Sequence, residues 1–269
     1  MNLGGMEDWS RKRALAGSAA ISLAIVGLTV LLAPRSNAVR GAQPCRTTLI
    51  PAYVPPSALI DLVAGSTRPR IIVINPASGP GTRHLPSYQR AVELAQKAGT
   101  KVLGYVPTGY GNRDPAVVKA DIDRYVEWYG VDGIFLDEVA HSDDKVPLYK
   151  ELSRHVRASG THLVVINPGL VPARAYFELA DIVVTFEGPF ADYARAIQEM
   201  PAWVAEISSE KIAHIAYAAS SADAQVLDAA STGAGYVYAT SGVAPNPWIT
   251  VPPYLEQQEQ RLAGCRSPS

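Results

Sequence analysis

From residue 47 onward the chain alternates between two hydrophobic patterns. Short, near-continuous apolar runs recur at Thr48–Val54, Arg70–Asn75, Lys101–Val106, Gly133–Asp137, His162–Asn167, Ile182–Glu187, Lys211–Tyr217 and Gly235–Thr240. Runs of this length, rich in Val, Ile, Leu, Tyr and Phe, are what parallel strands buried on both faces look like. Between them lie helical stretches at Ser57–Val63, Pro86–Ala98, Asp114–Tyr129, Val146–Ala158, Ala173–Leu179, Ala191–Glu199, Ser221–Ser231 and Pro253–Ala263. Val117, Val118, Ile122, Tyr125 and Val126 recur at helical spacing in the third, giving one apolar face. Asp114-Pro115 supplies an acidic cap and a proline at the first helical position. Gly99 follows the second as a terminator.

Eight strand–helix alternations predict an α/β fold, a single-domain (β/α)8 TIM-type barrel over residues 47–265. The rival is an open doubly wound sheet, which needs a glycine-rich phosphate loop after its first strand. Here that turn reads Tyr53-Val54-Pro55-Pro56. A dinucleotide is therefore not expected, and no cofactor is.

Residues 1–38 follow another logic. Arg11, Lys12 and Arg13 precede Ala14 to Ala33, a run without a charge, and Ser36-Asn37-Ala38 offers small residues for cleavage. This is either a secretory signal peptide or a retained transmembrane anchor, followed by a linker at 39–46. In both cases the positive flank stays inside and the rest leaves the cytoplasm. The expectation is an extracellular or cell-surface protein, touching a membrane only through residues 14–33 if they are retained. Two cysteines exist, Cys45 and Cys265. In an oxidising compartment they could tie the barrel's two ends by a disulfide; the alternative is two unrelated thiols.

The chain of 269 residues has a formal net charge of −1. Without the basic leader the remainder is mildly acidic, and no basic stripe for nucleic acid exists. The five histidines show no metal-ligand pairing, so no metal is expected. No Gly-x-Ser-x-Gly elbow appears, which disfavours a serine hydrolase. A monomer is expected.

In such a barrel the chemistry sits where strands end at their C-terminal side. Strand four delivers Asp137-Glu138 there and strand six delivers Glu187. Strands four and six flank strand five, so their end residues can face each other across the mouth. Either acid could instead pair with an arginine, Arg83 or Arg113, or cap a helix. Glycosidic cleavage needs two carboxyls flanking the bond, roughly 5–5.5 Å apart for retention and roughly 6.5–9.5 Å for inversion. Asp137 and Glu138 point to opposite sides of a regular strand; Asp137 is taken as the inward one, although the pattern leaves this open. Tyr53, Tyr105, Tyr110 and Tyr217 lie in or after strands, where rings can stack on sugar faces. Gly109-Tyr110-Gly111 is either a substrate loop or a plain turn. Asn75 and Asn167 could bind sugar hydroxyls or satisfy loop backbone.

The stretches PAYVPP, VINPASGPG, VLGYVPTGYGNR, DIDRYVEWYGVDGIFLDE, VINPG and VTFEGP, spread from about Leu49 to Leu255, resemble the spherulin-4-like family. That family is grouped with glycoside hydrolase family 135. The resemblance implies a barrel and endo-acting hydrolysis of a galactosamine-containing exopolysaccharide, as in fungal relatives that cleave α-1,4-linked N-acetylgalactosamine. It also implies a catalytic set of Asp137, Glu138 and Glu187. By analogy with related retaining hydrolases, Asp137 would be the nucleophile and Glu187 the acid/base, with Glu138 orienting substrate or tuning its neighbour. The alternatives are a carbohydrate-binding surface or stress protein without turnover, and a lyase or transglycosylase using the same carboxylates.

Overall fold

The computed structural model describes residues 46–65, 68–231 and 233–263. The segment read as signal peptide or anchor lies outside the described residues, as do Cys45 and Cys265. Among the described residues no helix is long and apolar enough to cross a membrane.

Eight parallel strands stand side by side in chain order: β1 (Leu49–Pro51), β2 (Ile71–Ile74), β3 (Lys101–Pro107), β4 (Gly133–Asp137), β5 (Leu163–Ile166), β6 (Ile182–Pro189), β7 (Ile212–Tyr217) and β8 (Tyr236–Ala239). Each is followed by a helix: α1 (Pro56–Ala64), α2 (Pro86–Lys97), α3 (Pro115–Tyr129), α4 (Val146–Ala158), α5 (Tyr176–Leu179), α6 (Phe190–Gln198), α7 (Ser221–Ala230) and α8 (Leu255–Ala263). The sheet comes back on itself at Thr47. Its N–H donates to Gly235 O at 2.9 Å, and its carbonyl accepts the Val237 N–H at 2.9 Å. The result is the expected (β/α)8 barrel, nearly closed, with strand residues buried on both faces.

The elements form where local chemistry favours them. Helix α3 begins with the Asp114 carboxylate accepting the Ala116 N–H at 2.8 Å and ends at Gly130, whose φ of 61° suits a residue without Cβ. Ser220 and Asp223 form a reciprocal capping box at the start of α7. Several boundaries differ from the sequence reading: β1 ends at Pro51 and not at Val54, α8 starts at Leu255 and not at Pro253, and two others bear on the site. The stretch before α5 is irregular, with the Ala173 N–H donating to His141 O at 2.9 Å, so helix is confined to Tyr176–Leu179. Strand β6 runs on through Gly188 and Pro189, which pair with Ala216 and Tyr217 of β7.

Within the β6–β7 pair the register shifts between Val184 and Phe186, a bulge at Thr185. A bulge reverses the inside–outside alternation of everything beyond it. Phe186 packs outward on Tyr193 of α6, with ring centroids 5.0 Å apart. Glu187 is thereby turned toward the barrel mouth.

Helix α3 sits on β3 through a size match. A Cβ on Gly104 would clash with the ring of Tyr125, 2.4 Å from its Cγ, and that ring is fully buried. Gly104→Ala is expected to cost about 1–3 kcal/mol by overpacking, read as a lowered urea midpoint. An unchanged midpoint would mean that Tyr125 is not seated there.

Candidate active site

The C-terminal end of the barrel holds three acids at the ends of two strands. Asp137 closes β4, Glu138 follows it, and Glu187 projects from β6. Between strands β4 and β6 lies Asn167, one residue past β5. Its amide nitrogen donates to Asp137 Oδ1 at 2.7 Å and also to Glu187 Oε2. The amide is oriented by its other end, since Asn167 Oδ1 accepts the Gly169 N–H at 3.0 Å. The hydrogens of a planar amide nitrogen diverge by about 120°, so the two accepting oxygens lie about 4–5 Å apart.

The two carboxyls differ in their donors. Burial raises the Asp137 carboxyl above the usual range, opposed by the Tyr105 hydroxyl, the Glu138 backbone N–H and the Asn167 amide. Burial raises Glu187 to about 7, with the charge of Asp137 adding to it and the Asn167 amide alone opposing it. Desolvation without a cation disfavours the ionised form, and hydrogen bonds restore it in proportion to their number. The larger number of donors on Asp137 thus favours the charge there and the proton on Glu187.

Glu138 occupies a left-handed conformation, φ 51°, rare for a residue with a Cβ and costing roughly 1–2 kcal/mol. It is held there by many bonds. Gly109 N–H donates to its Oε2 at 3.2 Å, and Tyr110 N–H donates to its carbonyl at 2.6 Å. The Thr108 hydroxyl lies 2.7 Å from the same carbonyl, 2.9 Å from that of Asp137 and 2.9 Å from the Tyr149 hydroxyl. Tyr149 in turn accepts the Ala140 N–H at 3.0 Å. Strain maintained by surrounding bonds is a mark of functional sites.

The tyrosines divide. Burial and the charges of Asp137 and Glu187 raise the hydroxyl of Tyr53; burial and Asp137 raise Tyr105. Burial and Glu138 raise Tyr110, whose side chain stands 60 % exposed above the acids. Tyr53 and Tyr105 meet edge to face at 5.2 Å. Tyr217 packs instead against Trp248 at 6.0 Å. Trp248, from the loop after β8, also accepts the Tyr53 N–H on its carbonyl at 3.0 Å. Asn75 is turned into its own loop, Oδ1 accepting the Gly79 N–H at 2.8 Å. Arg113 pairs with Asp121 and donates to Pro107 O, so it does not neutralise the acids. Among the described residues no group of His, Cys, Asp and Glu is placed to hold a metal. Thr108, Tyr149 and Trp248 escaped the sequence reading, since a hydroxyl in a turn and rings in a helix and a loop carry no motif.

Glu187→Gln separates the cost of this arrangement from the fold. With a folded pKa of about 7 against about 4.3 unfolded, wild-type stability falls as pH rises through that window and is flat above it. The variant is expected to match wild type near pH 4 and to exceed it above pH 7 by up to about 3 kcal/mol. Thermal unfolding across pH 4–8 measures this; a variant that gains nothing at high pH would place Glu187 in solvent.

Residues 48–261 match spherulation-specific family 4. The chain is 37% identical over 145 residues to spherulin-4 of Physarum polycephalum, a match covering 52% of this chain and 44% of that relative. The chain thus spans less than half the length of that curated protein. Among solved structures, Aspergillus clavatus Sph3 in complex with GalNAc superposes with a TM-score of 0.69 at 25% identity, covering 82% of this chain and 98% of the other. A chitinase from Rhizomucor miehei shares the fold at a TM-score of 0.50 and 12% identity, over 81% of this chain and all of its own. The likeness to Sph3 places the structure among glycoside-hydrolase-like or carbohydrate-binding barrels.

Proposed function

The chain belongs to spherulation-specific family 4, and from that premise we propose that it is a glycoside hydrolase cutting within an amino-sugar polysaccharide. The observation that carries this reading is the single amide shared by two buried carboxyls whose unequal donors favour the proton on Glu187 and the charge on Asp137. That division is what glycosidic cleavage requires of an acid and a nucleophile. Glu187 passes its proton to the glycosidic oxygen as the bond to the anomeric carbon breaks, and an Asp137 oxygen bonds to that carbon. Glu187, now a carboxylate, takes a proton from water, whose oxygen displaces Asp137. A separation of about 4–5 Å is far shorter than the roughly 6.5–9.5 Å that admits a water in inverting enzymes, which favours retention.

Tyr53, Tyr105 and exposed Tyr110 offer ring faces and hydroxyls to the sugar around the acids. Glu138, its carboxyl fixed by the Gly109 N–H, offers an acceptor to a sugar hydroxyl or to the amide N–H of an N-acetyl group. The GalNAc bound to Sph3 makes α-1,4-linked N-acetylgalactosamine polymers the first substrates to offer. The proposal includes action outside the cytoplasm, on the strength of Arg11, Lys12 and Arg13 and the uncharged run behind them.

Asp137→Asn and Glu187→Gln should each lower release of reducing ends from such a polymer by about 10²–10⁴-fold, while oligosaccharide binding persists. Wild-type kcat/KM should fall above pH 7 as Glu187 loses its proton. Binding of the glycan with no release of reducing ends by wild type would leave a carbohydrate-binding protein. Unsaturated products would indicate a lyase.

A further inference from the structure

We propose that Asn167 is the positioning residue of this site, fixing the distance and direction between the Asp137 and Glu187 carboxyls, and that it does not bind substrate. Its rate effect rests on the glycosidase reading; its effect on the carboxyls does not.

The bonding capacity of the side chain carries the argument. An asparagine amide has two hydrogens, and both are engaged, one on Asp137 Oδ1 and one on Glu187 Oε2. Its carbonyl oxygen accepts from Gly169. The residue is only 5% exposed, so no N–H remains for a sugar hydroxyl. Its backbone is fixed as well, the N–H donating to Leu136 O at 2.8 Å and the carbonyl accepting the Val139 N–H at 3.1 Å. Asn167 is thus tied to both sides of the Asp137 turn before its side chain reaches either carboxyl.

A closed ring of hydrogen bonds links it to Glu187. Gly169 N–H donates to Asn167 Oδ1, Glu187 N–H donates to Gly169 O at 3.0 Å, and Asn167 Nδ2 donates to Glu187 Oε2. Gly169 takes φ 71°, a conformation that glycine adopts without strain, and a Cβ there would lie 3.8 Å from the Glu187 Cβ. The ring sets the carboxyl and the backbone of Glu187 from the same loop, so a shift of one moves the other.

The groups that face this pair are Asp137 and Glu138 at the end of β4, Tyr105 on β3, Tyr110 in the loop after it, and Tyr53 after β1. None is a cation, and for Glu187 the amide is the sole group that favours the ionised form. Removing Asn167 takes one donor of three from Asp137 and the single donor from Glu187. The two carboxyls should respond unequally, with Glu187 moving most.

The test is a titration of the Glu187 carboxyl by NMR, using protein labelled with carbon-13 at glutamate carboxyls and Glu187→Gln to assign the signal. Asn167→Ala, and Asn167→Leu, which fills a similar volume without a donor, are compared with wild type after circular dichroism has shown each to be folded. The expected midpoint lies about one unit or more above that of wild type in both variants. With an N-acetylgalactosamine polymer, kcat is expected to fall about 10–100-fold with KM little changed, and the alkaline limb of the rate profile should move up with the midpoint. An unmoved midpoint, or a raised KM with kcat intact, would overturn the positioning role and return Asn167 to the substrate. If the midpoint moves but wild type cleaves no polymer, positioning stands and the glycosidase reading fails. If wild type cleaves and the midpoint stays, positioning alone fails.

Discussion

Two carboxyls at the mouth of a barrel, about 4–5 Å apart and without a cation between them, are the constraint around which the rest is arranged. Each would be far cheaper in water. Sharing one amide nitrogen holds them together, but burial raises both carboxyls and the charge of Asp137 raises Glu187 further, which favours keeping a proton on one of them. Which carboxyl holds it is decided by donor count. Three donors converge on Asp137 and one on Glu187. On the glycosidase reading, two residues of similar chemistry thereby take opposite roles from their surroundings.

The scaffold delivers this geometry by small departures from regularity. Strand β4 ends at Asp137, and Glu138 turns at once into the left-handed region, braced by backbone N–H groups from the loop after β3 and by the Thr108–Tyr149 pair. Strand β5 stops short so that Asn167 can stand between its neighbours. Strand β6 carries a bulge at Thr185 that turns Glu187 inward, then continues to Pro189 in register with β7. Strain and irregularity collect at the C-terminal rim, where rigid strands below can maintain them. Functional positions in barrels are loops on a fixed frame, and here the loops after β3, β4 and β5 are laced into one unit by hydrogen bonds.

Much of this was legible in the residues. Burial on both faces leaves a continuous apolar run, so all eight strands and their order follow from hydrophobicity, and caps such as Asp114-Pro115 mark helix starts. Acids directly after such runs, Asp137 and Glu187, announce themselves because charge there needs a reason. The bulge at Thr185 was not legible: nothing about a threonine in Val-Val-Thr-Phe says that an extra residue is inserted, and inward and outward positions beyond it cannot be assigned from alternation. Nor was the extension of β6, because Gly188-Pro189 reads as a turn and only the pairing with β7 shows otherwise. Asn75 and Asn167 look alike in sequence, each before a proline at a strand end. One folds back on Gly79 while the other bridges two acids, a difference set by neighbouring strands. Trp248 lies far along the chain from Tyr53 and Tyr217, so only the closing of the barrel brings them together.

Membership of spherulation-specific family 4 fixes the lineage of the chain, and its superposition on Sph3 supplies the sugar with which to begin. The chemistry itself depends on the short span between Asp137 and Glu187. The most direct measurement is the configuration of the first product, read from the anomeric proton of the new reducing end by NMR before mutarotation. Carboxyls about 4–5 Å apart predict the same configuration as the linkage that was cut. An inverted product would contradict the account, because inversion needs the wider carboxyl spacing that admits a water.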